Sequence, residues 1–126
     1  MEKFFICKEC GNMIAMVQDK GGPLTCCGKE MTLLAANTTD AATEKHVPVV
    51  EKTESGINVK VGSVLHPMEE AHYIQFIYIK TEKGGQFAKL KAGASPEADF
   101  CLAAGDKALE VYEYCNLHGL WKTEVR

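Results

Sequence analysis

No stretch of the 126 residues approaches the ~20 consecutive apolar positions that a membrane-spanning helix needs, which excludes a helical membrane protein. The first residues, Met1-Glu2-Lys3-Phe4-Phe5-Ile6-Cys7, lack the apolar core and small-residue cleavage site of an export signal. A cytoplasmic address is therefore expected. Lys and Arg are scattered and the formal charge is −3, so no basic stripe offers itself to nucleic acid. No G-x-G-x-x-G follows a strand pattern, and a nicotinamide cofactor is not expected. Internal repeats and low-complexity segments are absent too. With 46% apolar and 25% charged residues, the composition is that of an ordinary folded domain.

Cysteine and histidine are abundant instead. The chain has 6 Cys and 4 His. In a chain without an export signal, so many thiols point to metal ligands before disulfides. The two ligand types are segregated. Cys7, Cys10, Cys26 and Cys27 come first; His46, His66, His72, Cys115 and His118 come later. Two sites in two folding units are expected, 1–37 and 38–126, joined by the small, polar stretch 35–43. A unit of roughly 36 residues is too short to be held by its core alone, so a bound metal would supply its folding free energy. The later unit reads as short strands separated by turns. Ile57, Val59 and Val61 alternate with Asn58 and Lys60, and the segments 72–80, 86–90, 98–103 and 107–115 continue the series. Such spacing predicts a mainly β protein whose larger part is a β-sandwich.

The first four cysteines form Cys7-x2-Cys10, fifteen intervening residues, then the adjacent pair Cys26-Cys27. A C-x2-C turn lets two thiolates converge on one ion, and Gly11 and Gly28 follow each pair where the chain must reverse. Four thiolates suit zinc or a single iron, and spacing alone leaves the two level. Adjacent cysteines must bend toward one ion, which distorts the angle there. In the later unit, Cys115-Asn116-Leu117-His118 is a turn short enough for both side chains to reach one metal. His46 and His66 lie in Pro-marked segments that read as loops. A copper site of the two-His, one-Cys type wants a Met soon after the last His, and none follows His118. Zinc rarely takes five ligands, whereas five N and S donors leave one position vacant on an octahedral iron.

Two resemblances enter on these residues. The Cys7–Cys27 pattern resembles the desulforedoxin motif, a mononuclear iron held by four cysteines. Glu44-Lys45-His46-Val47-Pro48, His66-Pro67-Met68-Glu69-Glu70-x-His72 and Tyr114-Cys115-Asn116-Leu117-His118-Gly119-x-Trp121 resemble the superoxide reductase (neelaredoxin) signatures, in order. Taken together, the chain resembles the desulfoferrodoxin family of two-iron superoxide reductases. That resemblance implies an immunoglobulin-like sandwich for the second unit and two mononuclear irons. It implies His46, His66, His72 and His118 as equatorial ligands and Cys115 as the axial one, with the sixth position open. It also implies one-electron reduction of superoxide to hydrogen peroxide, a rubredoxin-like electron donor and a homodimer. Lys45 is then expected to attract the anionic substrate, and Glu44 to be the sixth ligand of the oxidised iron. The backbone N–H groups of Asn116 and Leu117 are expected to tune the Cys115 sulfur. Cys101 matches no ligand and is expected to be a buried or half-buried thiol. Trp121, Tyr112 and Tyr114 are expected in the core.

Overall fold

The computed structural model describes residues 2–126. The chain divides into two compact units, Met1–Ala35 and Ala36–Arg126. The division falls two residues before the expected one because Asn37 is held by the larger unit. Its N–H donates to the Leu120 carbonyl, and its carboxamide bridges the backbone of Lys122. Among the described residues, no helix is long and apolar enough to cross a membrane.

The small unit carries β1 (Phe4–Ile6), β2 (Met13–Ala15), β3 (Thr25–Cys26), β4 (Lys29–Glu30) and β5 (Thr32–Leu33). These make an antiparallel sheet β2-β1-β5 and a separate β3-β4 hairpin. Phe4 and Cys7 are its buried side chains. So thin an interior agrees with a unit that depends on a metal.

The larger unit opens with a single helical turn, α1 (Thr43–His46). The segment 44–48, expected as a loop, is thus helical up to His46. Pro48 ends it, since the residue before a proline is driven to extended backbone, and Val47 is extended. Seven strands follow: β6 (Pro48–Lys52), β7 (Gly56–Val61), β8 (Ile74–Thr81), β9 (Gly85–Lys89), β10 (Glu97–Cys101), β11 (Ala108–Cys115) and β12 (Gly119–Glu124). They form two antiparallel sheets, β10-β7-β6 and β12-β11-β8-β9. Their inner faces share one cluster: Ile57, Val59, Val61 and Phe100 from the first sheet, and Ile74, Ile77, Ile79, Val111 and Cys115 from the second. Burying each such aliphatic side chain stabilises by about 1.5–3 kcal/mol. This is the mainly β sandwich that the alternation in β7 foreshadows.

Two details of register place the chemistry. On β11, Val111, Glu113 and Cys115 share the inner face. A bulge shifts the pairing from Tyr114↔Phe76 to Cys115↔Ile74, so Ile74 and Ile77 both turn inward beside them. Cys115 therefore ends the strand fully buried. On the outer strand β10, Phe100 points inward, and Cys101 is consequently exposed, contrary to the expectation of a buried or half-buried thiol.

Candidate metal centres

In the small unit, the C-x2-C turn is closed by Gly11 N–H on the Cys7 carbonyl and by Cys7 N–H on the Asn12 carbonyl. Gly11 has φ +85° and Gly28 has φ +74°, values that favour glycine; Cys27, between the hairpin strands, takes φ +53°. Cys10 and Cys26 sulfurs are 3.6 Å apart, and those of Cys26 and Cys27 are 4.0 Å apart. A tetrahedron with metal–sulfur bonds of ~2.3 Å has edges of roughly 3.8 Å, so the donors fit one ion. The four ligand atoms lie within 4.8 Å of one another. Asn12 directs its backbone N–H at the Cys10 sulfur and its carboxamide at the Cys26 sulfur. Backbone N–H groups, that of Cys10 foremost, lower the Cys7 thiol to about 7. Cys27, its thiol bonded to the neighbouring sulfurs of Cys10, Cys26 and Cys7, is pushed up to about 12. Thiolates this close together repel one another unless a cation lies between them.

In the sandwich, His46, His66, His72, Cys115 and His118 gather their ligand atoms within 4.8 Å. The four imidazoles form a closed square. Neighbouring ring centroids are 4.7 Å apart for His46–His66, 4.6 Å for His66–His72, 5.0 Å for His72–His118 and 4.9 Å for His118–His46. Each ring stands nearly perpendicular to the next, at 73° to 89°. The Cys115 sulfur lies 3.4 Å from His66 Nε2 and 3.8 Å from His118 Nδ1.

The tautomers show that this square is built for a cation. His46 Nδ1 donates to the Ala42 carbonyl at 2.7 Å, and His66 Nδ1 to the Pro67 carbonyl at 2.6 Å. A carbonyl can only accept, so in both rings Nε2 holds the lone pair. Those two Nε2 atoms face each other at 3.2 Å, and His118 Nδ1 is also 3.2 Å from His46 Nε2. Two lone pairs at that distance repel. Cis nitrogens on one metal at ~2.1 Å are roughly 3.0 Å apart, so an ion removes the conflict. Burial pushes His66 down to about 4 and holds His46 below its ordinary value, which keeps both rings neutral at pH 7. His72 Nε2 is buried without a hydrogen-bond partner among the described residues, as an unclaimed ligand atom would be. Burial also pushes the Cys115 thiol up, opposed by the backbone N–H groups of Leu117 and His118. Asn116, expected to donate to this sulfur, instead gives its N–H to the Tyr73 carbonyl at 3.2 Å.

Lys45 and Glu44 are exposed on the turn that delivers His46. The positive charge of Lys45 reaches both His46 and His72, where it contributes to their lowered pKa values behind burial. The Glu44 carboxylate is not among the five clustered donors.

Several residues escape notice in the sequence. Trp121 is buried, as expected of a core residue, but it also stacks on His46 (centroids 5.0 Å apart, 23° between planes) and donates from Nε1 to the His118 carbonyl at 3.0 Å. Glu113 is fully buried two residues before Cys115, and burial pushes its carboxyl to about 9, so it is neutral at pH 7. Its parity with Val111 and Cys115 is the one signal that could have placed it inward. Gly62 lets α1 sit close: a Cβ there would meet the Glu44 carbonyl oxygen at 2.7 Å.

Fold and donor sets together define a non-haem metalloprotein, a four-cysteine unit followed by a β-sandwich with a His4Cys centre. The family model described as desulfoferrodoxin matches residues 38–124, and that of the desulfoferrodoxin N-terminal domain matches residues 1–34. A desulfoferrodoxin of Syntrophotalea carbinolica is 54% identical over 118 residues, covering 94% of this chain and 92% of that protein. One of Nitratidesulfovibrio vulgaris is 48% identical, covering 98% and 96%. The superoxide reductase structure from Treponema pallidum superposes with a TM-score of 0.84 at 40% identity, covering 98% of this chain and 99% of that one. A superoxide reductase (1Fe-SOR) from Giardia intestinalis covers 67% of this chain and 99% of its own, with a TM-score of 0.56 at 28% identity. The chain belongs to the desulfoferrodoxin family. Its two donor sets fit two mononuclear iron sites.

Proposed function

We propose that the chain is a superoxide reductase, acting at the His4Cys site: superoxide, one electron and two protons give hydrogen peroxide. The observation that carries this reading is the square of four imidazoles closed over a buried cysteine sulfur. Bound iron supplies a one-electron couple held by five protein donors, with one position left for a small anion.

The remaining roles belong to the protein. His46, His66, His72 and His118 would hold the iron through their imidazole nitrogens, and Cys115 would hold it through its sulfur from the side of the core. Cys115 is fully buried, whereas His72 and His118 are only partly so and Lys45 is exposed, so substrate enters from the solvent side. Lys45 attracts superoxide and offers its ammonium as a hydrogen-bond donor beside the entry. Glu44, on the same turn, would offer its carboxylate to the oxidised metal as a further ligand. The Leu117 and His118 N–H groups moderate how much charge the Cys115 sulfur donates.

The small unit is the desulforedoxin-like iron domain and the sandwich is the catalytic domain. Cys7, Cys10, Cys26 and Cys27 would hold an iron through four sulfurs, a set that suits electron relay and not substrate binding. The Giardia superoxide reductase covers 67% of this chain, close to the share that the sandwich makes up, which supports placing the chemistry there. A rubredoxin-like protein is the external donor, the chain pairs as a homodimer, and its compartment is the cytoplasm, where thiols stay reduced.

Mixing the reduced, iron-loaded protein with superoxide in a stopped-flow instrument tests the activity. Reduction yields one peroxide for each superoxide consumed and no dioxygen, with the visible spectrum of the His4Cys site changing from reduced to oxidised. A pure electron carrier would form no stoichiometric peroxide, and dismutation would release dioxygen; either result overturns the reading.

A further inference from the structure

His46 and His66 each have a ring nitrogen tied to a backbone carbonyl, but His72 Nε2 has no partner among the described residues. The hydrogen bonds that place His72 run through its backbone. On one side, His72 and Glu69 exchange backbone hydrogen bonds at 2.9 and 3.0 Å, closing the loop 69–72. On the other stands Asn116, between the ligands Cys115 and His118. Its Oδ1 accepts from Tyr73 N–H at 3.0 Å, and its Nδ2 donates to the Ala71 carbonyl at 3.1 Å. Its own N–H reaches the Tyr73 carbonyl at 3.2 Å. One carboxamide thus grips the residues immediately before and after His72.

We propose that Asn116 is a positioning residue of the His4Cys site, whose side chain locks the His72 loop to the Cys115–His118 turn. An asparagine suits this because a single planar group supplies both an acceptor and a donor. The link joins ligands 43 to 46 positions apart in sequence through one side chain that touches no ligand atom. This rests on reading the five residues as an iron site, and its test is independent of superoxide.

The experiment is anaerobic Fe(II) titration of the full chain against a chromophoric chelator, comparing wild type, Asn116→Ala and Val59→Ala. Val59 is a fully buried core residue outside the donor set, and its truncation controls for lost stability. Asn116→Ala is expected to weaken Fe(II) retention at the His4Cys site by about 10–100-fold, the usual effect of removing a partner that orients a ligand. The four-cysteine site stays at wild-type affinity. The ferric spectrum of the His4Cys site shifts in symmetry, and Tyr73 N–H loses its protection from hydrogen exchange. Val59→Ala lowers thermal stability but leaves Fe(II) affinity and spectrum unchanged. If Asn116→Ala does not fold, Asn116→Ser, too short to span both partners, is judged by the same criteria. Wild-type affinity and spectrum in the Asn116 variant overturn the proposal, as does an equal loss of affinity in Val59→Ala.

Discussion

Lys45 illustrates how one charge acts where the net charge opposes it. The chain is negative overall, at −3, so attraction of an anion has to be local. Lys45 is exposed one residue before a ligand, and its field reaches two imidazoles of the square. Within a Debye length of roughly 8–10 Å, such a charge steers a small anion, and salt screens it. Lys45→Ala is expected to slow superoxide association several-fold and to flatten its ionic-strength dependence, both read in stopped-flow traces. An unchanged salt slope would remove Lys45 from the approach path. The ligands and Lys45 were legible in the sequence because their types and spacing are themselves the chemistry. Asn116 and Trp121 were not legible in their supporting roles, because their partners come from Ala71, Tyr73 and His46, 43 to 75 positions away. Cys101 was misjudged because its burial depends on which face of β10 pairs inward, and only Phe100 against Ile57 settles that parity.

At the scale of elements, the β11–β12 hairpin carries two of the five donors and is braced on its outer face. Lys122 Nζ lies 3.1 Å from Glu110 Oε2, and the Tyr112 hydroxyl donates to Glu110 Oε1 at 2.9 Å. Burial alone would raise the Glu110 carboxyl, but the ammonium and hydroxyl hold it below its ordinary value of 4.5. A folded value below the unfolded one means that the contribution is complete above the unfolded pKa and drains away as pH falls through the folded value. The gap in denaturation midpoint between wild type and Glu110→Gln is therefore expected to be widest near neutral pH and to close as pH falls below 4.5 and through the lower folded value. A gap that stays constant over that range would show that the carboxylate's charge does not contribute. The strands β7 to β11 were readable from alternation and turn residues. β12 was not, since Gly119-Leu120-Trp121-Lys122 looks like the tail of a ligand motif. One turn of helix at Thr43–His46 is too short to show a period of 3.6 residues.

For the molecule as a whole, the two units differ in what holds them. The sandwich has an apolar cluster drawn from both sheets, while the small unit buries little besides Phe4 and Cys7. Stripping both metals with a strong chelator is expected to unfold 1–35 and leave the sandwich strands paired. Amide exchange would show it: protection lost along Phe4–Ile6 and Met13–Ala15, and retained along Gly56–Val61 and Ala108–Val111. Loss of protection in both units together would mean that the larger one also needs its ion to fold.

The separation of donors along the chain has a further consequence for synthesis. All four sulfurs of the first centre emerge within the first 27 residues, whereas His46 must wait 72 positions for His118. As a nascent polypeptide leaves the ribosome from its amino end, the first centre can capture its ion early. The second cannot exist until His118 has been added, so translation lets the first centre load before the second, and a product terminated between Cys27 and Cys115 would carry the first metal without the second.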